Sequence, residues 1–199
     1  MEIFNKKFRE GNFIIYDEAP NFDVKKVKQI HSTKIVSIDE ENGEADGLVL
    51  NKFEKENLAI LTADCMPVLL LGKNGSTLLH AGWRGLKAGI LKQKELKSLK
   101  IYQAFIGPHI NDCCYEVTLE FLNHFGETFF KKREEKYFFS LQEVAKLHLK
   151  EFFGNIKVEQ AKECTSCQSR FHSYRRNQTT KRNWNIWKPN VVDTIHTYR

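Results

Sequence analysis

The chain has 199 residues, is 41% hydrophobic and 28% charged, and carries a formal net charge of +6. That length and balance predict one soluble globular domain over residues 1–199, long enough to bury a core. No apolar run approaches the roughly 18 residues of a membrane-crossing helix, and MEIFNKKFREG lacks the apolar centre of a secretory signal, so a cytoplasmic protein is expected.

In chain order, apolar and β-branched runs predict strands at 12–16 (NFIIY), 34–38 (KIVSI), 46–50 (DGLVL), 57–62 (NLAILT), 66–71 (MPVLLL), 76–80 (STLLH) and 101–106 (IYQAFI). MPVLLL is continuous rather than alternating, as in a strand covered on both faces. Helices are predicted over 85–100, over 119–132 with an interruption at Gly126, and over 140–154. In the last, Ser140 and Glu143 have capping-box spacing. Leu141, Val144, Ala145, His148 and Phe152 form one stripe, and Gly154 can end the helix in the left-handed conformation. Strands first and mixed elements later predict an α/β or α+β layered sandwich built on a mixed sheet.

Two islands carry most of the chemistry, TADCMPVLLL and LLHAGWRG. They contribute Cys65 and His80, and His31 stands upstream in QIHSTKIV. Two imidazoles and a thiolate suit zinc, and three ligands leave one position open. Alone, His31 reads more readily as a structural histidine. Asp64 either orients an imidazole or carries a proton. The plain alternative makes Asp64 a turn residue and Cys65 a small buried hydrophobe. In HAGWRG the glycines let backbone approach a ligand. Arg84 can bind phosphate through two parallel bonds and Trp83 offers a flat face. The plain alternative is a strand-to-helix turn with a surface arginine.

Five cysteines, two of them adjacent at 113 and 114, argue against a disulfide scaffold. IGPH (106–109) leads into Cys113–Cys114, and this stretch is read as a structural loop, since neighbouring side chains rarely point to one ion. Cys164-x-x-Cys167 has no second pair of suitable spacing, so a structural zinc there is the minor reading and a redox motif a lesser one. From Cys164 to Val192 there is no acidic residue. Arg175 and Arg176 in this basic stretch are read as a phosphate or substrate clamp. Its rivals are a nucleic-acid surface with Phe171, Tyr174 and Trp184 stacking on bases, and a merely solvated face.

Taken together, QIH, ADGLVL, TADCMPVLLL, HAGWRGL, IGP followed by CCYEV, CT and FHSYRR resemble, in order, the YfiH laccase-domain family, long labelled multicopper polyphenol oxidases. The resemblance spans roughly residues 27–187. It implies an α/β sandwich shared with the cytotoxic necrotizing factor deamidases. It also implies a zinc-dependent purine nucleoside phosphorylase acting on adenosine, inosine, guanosine and 5′-methylthioadenosine, with adenosine deaminase activity. The implied zinc ligands are His31, Cys65 and His80, with copper less favoured. On this reading Cys65, Asp64 and Arg84 are catalytic, and Arg84, Trp83, Arg175 and Arg176 bind substrate or phosphate. The partners are purine nucleosides and inorganic phosphate, with neither membrane nor nucleic acid expected and oligomerisation left open.

Three departures stand out. Residues 1–26 lack the Asn-Arg segment usual before QxH, so part of the pocket differs or comes from a partner subunit. GPHINDCCYEV places His109 and Asp112 in a loop that is usually GPxIGPCCYEV, and 188–199 extend past the usual end. Three rivals remain. A multicopper oxidase needs several histidine-rich sites, whereas this chain has seven histidines and no His-x-His pair. A metal-free hydrolase would use Cys65 as nucleophile and His80 as base. A basic RNA- or partner-binding protein would tolerate Cys65→Ala.

Overall fold

A computed structural model describes residues 1–40 and 43–190. Of the predicted C-terminal extension, residues 191–199 lie outside the described residues, while Lys188 and Pro189 complete a strand. All seven predicted strands form, within a residue or two of the expected bounds. They are β2 (Gly11–Tyr16), β3 (Ile35–Ser37), β4 (Gly47–Asn51), β5 (Leu58–Thr62), β6 (Met66–Gly72), β7 (Gly75–Ala81) and β8 (Ile101–Ile106). Six further strands lie outside those predictions: β1 (Glu2–Phe8), β9 (Glu116–Val117), β10 (Phe130–Arg133), β11 (Lys136–Phe139), β12 (Lys157–Gln160) and β13 (Asn183–Pro189).

The sheet order explains the predicted double burial of MPVLLL. One sheet runs β12-β8-β6-β7-β4-β3 and a second runs β1-β2-β13-β5. The larger sheet is mixed, with β12 parallel to β8 and β3 parallel to β4. β6 is interior to it, between β7 and β8. Its residues alternate between two cores, as strand geometry requires. Val68 and Leu70 join Leu86, Ile90, Val144 and Leu149 on the helical side. Leu69 and Leu71 join Phe13, Ile15, Ile60 and Trp187 on the side of the second sheet. Each fully buried side chain contributes about 1.5–3 kcal/mol, so this strand anchors both layers. The result is the expected layered α/β sandwich. No helix of the described residues is long and apolar enough to cross a membrane.

The helix predictions divide. Residues 141–153 form α2 (Leu141–Phe153), where the Ser140 hydroxyl accepts from the Glu143 amide and Gly154 follows at φ 70°. Only half of the capping box forms, because the Ser140 amide donates to the Phe129 carbonyl instead. The expected 85–100 helix is broken into α1 (Trp83–Lys87) and two short 3-10 turns, with Gly89 at φ 85° between them. Its apolar residues Leu86, Ile90, Leu91, Leu96 and Leu99 are still buried, so the spacing reported burial and not a continuous helix. Residues 119–132 likewise yield 3-10 turns and the start of β10. Phe121, Phe125 and Phe130 there pack around Phe139.

His148 takes a place on the α2 stripe, with its Nδ1 buried and unpartnered. Burial, with the nearby Lys92 charge adding to it, holds this imidazole below its ordinary pKa. The unfolded chain then binds the extra proton, so the folded state loses stability as pH falls below about 6.5. His148→Leu is expected to stabilise the protein by about 1 kcal/mol at pH 7 and by more at pH 5.5. Urea unfolding at the two pH values checks this, and an equal gain at both would show that the buried ring protonates freely.

Candidate active site

The site lies where the chain passes from one sheet to the other. β5 ends at Thr62 in the four-stranded sheet and β6 begins at Met66 in the six-stranded one. The intervening turn carries Asp64 at φ 90°, which is unusual for a residue with a side chain. Asp64 is tied on three sides: its carbonyl accepts from the Ile110 amide at 3.0 Å, Oδ1 from the Thr165 hydroxyl at 2.7 Å, and Oδ2 from the Arg175 amide at 2.6 Å. Both carboxylate oxygens are thus occupied in joining segments a hundred residues apart.

That turn presents Cys65 to two histidines. His31, at φ 61° in the loop before β3, has Nε2 3.9 Å from the Cys65 sulfur. His80, on β7, meets the His31 ring edge to face at 4.8 Å. One ligand atom from each of His31, Cys65 and His80 lies within 4.8 Å of the others. Gly82 is needed beside them, because a Cβ there would stand 3.0 Å from the Cys65 sulfur and 3.3 Å from the His31 ring. The close approach expected of this glycine is therefore to the cluster itself.

Asp46, which opens the ADGLVL island, organises the group. It is fully buried. It accepts from His80 Nδ1 at 2.8 Å, from the His31 amide at 3.0 Å, and from the Ser32 amide and hydroxyl at 2.5 and 2.8 Å. One carboxylate thus holds the strained His31 loop and the His80 ring together, leaving His80 Nε2 for a ligand. Burial works against its ionisation, but the bonds from His80 and Ser32 prevail and bring its pKa to about 2. Burial likewise opposes the Cys65 thiolate, yet the bonds and charge of His31 and His80 lower that thiol to about 6. His80 is raised to about 9 against its own burial by Asp46 and Cys65.

The cluster opens on a cavity of about 600 Å³ whose lining includes His31, Asp64, Cys65, His80, Trp83, Arg84, Tyr115, Arg175 and Arg182. The Arg84 guanidinium lies 4.3 Å from the Trp83 ring centre, and that ring stacks on His124 at 5.0 Å. Trp83 is therefore a platform beneath an arginine rather than a bare face. Arg175 lies over the Tyr115 ring at 5.3 Å and donates to the Glu116 carbonyl at 2.7 Å. Burial keeps the Tyr115 phenol protonated far above its ordinary pKa, as a neutral donor on the cavity wall.

Arg176 departs from the expected clamp. Its guanidinium donates to the carbonyls of Thr165, Ser166, Gln168 and Phe171, so it fastens its own loop instead of facing the cavity. The base-stacking rival weakens for a similar reason, since Phe171 is fully buried. Asp46, Tyr115 and Arg182 belong to the site without having been singled out in sequence. ADGLVL and CCYEV marked the first two only as resemblance.

Residues 11–187 match the model of the family described as multi-copper polyphenol oxidoreductase laccase. The chain belongs to this family, that of YfiH. Among its relatives, a purine nucleoside phosphorylase of Aquifex aeolicus is 37% identical over 161 residues, covering 77% of each chain. The fold is similar to that of a solved Neisseria meningitidis protein, with a TM-score of 0.74, 30% identity, and coverage of 84% of this chain and 75% of that one. It is also similar to the solved YfiH of Bacillus licheniformis, with a TM-score of 0.70, 25% identity, and coverage of 84% and 74%. Among the described residues, the His31–Cys65–His80 group could hold a metal ion and lines this cavity of about 600 Å³.

Proposed function

We propose that this protein is a zinc-dependent purine nucleoside phosphorylase of a single domain. It would act on adenosine, inosine, guanosine and 5′-methylthioadenosine, with adenosine deamination as a second activity of the same cavity. The observation that carries this reading is one cavity whose lining includes the His31–Cys65–His80 cluster together with Arg84 and Arg175. Relatives named purine nucleoside phosphorylase support it.

A thiolate with two imidazoles, one of them oriented by a buried carboxylate, is a donor set that zinc favours over copper(II) or magnesium. Zinc held by His31, Cys65 and His80 would supply Lewis acidity to the substrate. The family description speaks of several coppers, yet among the described residues only one metal-competent group contains imidazoles.

In phosphorolysis an oxygen of hydrogen phosphate bonds to the anomeric carbon as the carbon–nitrogen bond to the purine breaks, and the proton that the phosphate gives up ends on the departing purine nitrogen. Arg84 and Arg175 hold the phosphate by charge-assisted bonds, each braced on an aromatic ring. The Tyr115 hydroxyl donates a hydrogen bond to the nucleoside. Asp64 keeps the Arg175 backbone and the Thr165 loop in register with the cluster.

The test is release of adenine or hypoxanthine from nucleoside by purified protein of measured metal content, with and without phosphate. Phosphate-dependent release is expected, and Arg84→Met should raise the KM for phosphate by about 10- to 100-fold. Equal release without phosphate would make the enzyme a hydrolase, and no release would remove the purine assignment. A second reading, a metal-free Cys65–His80–Asp46 hydrolase, rests on the acidified Cys65 thiol and the Asp46–His80 bond. Full activity in metal-depleted protein would favour it.

A further inference from the structure

A second group of metal-competent side chains lies outside this cluster. Cys113, Cys114, Cys164 and Cys167 have all four sulfurs within 4.8 Å of one another. Cys167 is 3.5 Å from Cys113 and 3.2 Å from Cys114. In sequence the CxxC lacked a partner pair, and adjacent cysteines looked unable to share an ion. A tight turn removes that objection: the amides of Cys114 and Tyr115 both donate to the Asn111 carbonyl at 3.0 Å, coiling the chain so that both thiols converge on the CxxC. The Asn111 amide also donates to the Cys164 sulfur at 3.4 Å, the kind of bond that supports a coordinated thiolate.

We propose that Cys113, Cys114, Cys164 and Cys167 hold one zinc ion as a structural site separate from the His31–Cys65–His80 cluster. Zinc–sulfur bonds of about 2.3 Å in a tetrahedron place sulfurs about 3.8 Å apart. The two Cys167 contacts, at 3.2 and 3.5 Å, lie a little below that value, and all four sulfurs fall within 4.8 Å of one another. Four ligands close the coordination shell, so the site has no open position for chemistry. Each thiol that joins releases its proton on binding. Arg133 donates to the Cys113 carbonyl, which sets a cation beside a centre of net negative charge.

The bound ion would clip the 111–117 turn to the 164–176 segment, which supply Tyr115 and Arg175 to the cavity wall and Thr165 to Asp64. The proposal is independent of the nucleoside reading, because metal content reports it whatever the substrate.

The experiment is metal analysis of full-length Cys65→Ala protein, from which the other cluster's thiolate is missing, prepared under reducing conditions with zinc supplied. One zinc per chain is expected. Cobalt exchanged into it should show strong sulfur-to-cobalt charge-transfer absorption of a four-thiolate centre. Adding Cys113→Ser and Cys167→Ser, both at exposed positions, should remove the ion and lower the Tm by at least about 5 °C. Metal-free Cys65→Ala protein, iron in place of zinc, or disulfide bonds among these thiols would each overturn the assignment. Should the triple variant not fold, the cobalt spectrum of Cys65→Ala alone decides, since a centre with fewer than four thiolates absorbs more weakly.

Discussion

Cys65→Ser is expected to cut phosphorolysis by at least about 100-fold and to strip the metal from the His31–Cys65–His80 cluster. Cys65 is the one thiolate in that set, and its sulfur stands against both imidazoles. A serine hydroxyl stays protonated at neutral pH and cannot take its place. The fold should survive, since Cys65 is only half-buried and leaves the packing of β6 intact. The checks are nucleobase release, zinc content and circular dichroism on the same sample. In metal-depleted wild-type protein, alkylation of Cys65 should rise with pH through a midpoint near 6, the value to which the two histidines bring the thiol. Bound metal should suppress that reaction. Retained activity in Cys65→Ser would sink both the zinc and the thiol-nucleophile readings together.

Asp46→Asn should be the more damaging change to stability. The carboxylate is fully buried and accepts from the His80 ring and from the amides and hydroxyl of the 30–32 loop. An asparagine amide turns one of those acceptors into a donor facing N–H groups. Breaking a buried pair of this kind costs about 3–5 kcal/mol, a large share of the 5–15 kcal/mol that holds a typical domain folded. Metal affinity should fall about 10- to 100-fold, because His80 loses the partner that fixes its ring and tautomer. Urea unfolding and zinc competition with a chelator measure the two effects separately. Unchanged affinity in a destabilised protein would show that Asp46 braces the loop without tuning His80.

Strand content in the first half was legible because the apolar runs are short, rich in β-branched residues and bounded by turn residues, and each of the seven became a strand. The strands left unread are of another kind. β1 and β10 are rich in lysine, and β13 carries buried asparagines at 183 and 185, the first bonded to the His172 backbone and the second within the sheet. Their pairing comes from neighbours distant in sequence, as when Asn185 donates to the Ile60 carbonyl across the β13–β5 ladder. The 85–100 stretch shows the converse. Its apolar spacing marked the buried residues correctly, while Gly89 and the shape of the core decided against a single helix.

Residue type nominated His31, Cys65, His80, Arg84 and Arg175 only as candidates, each with a plain alternative, and the ordered resemblance of the motifs raised the first three to a ligand set. Only the tertiary structure decided that the first three meet. It also turned Arg176 onto backbone carbonyls, made Asp46 the brace of the cluster, and paired Cys113–Cys114 with Cys164–Cys167. The physical reason is the same in each case. A side chain's chemistry is local, but whether it is free, bonded or brought beside another depends on the crossing from β5 to β6 and on loops that meet a hundred residues apart.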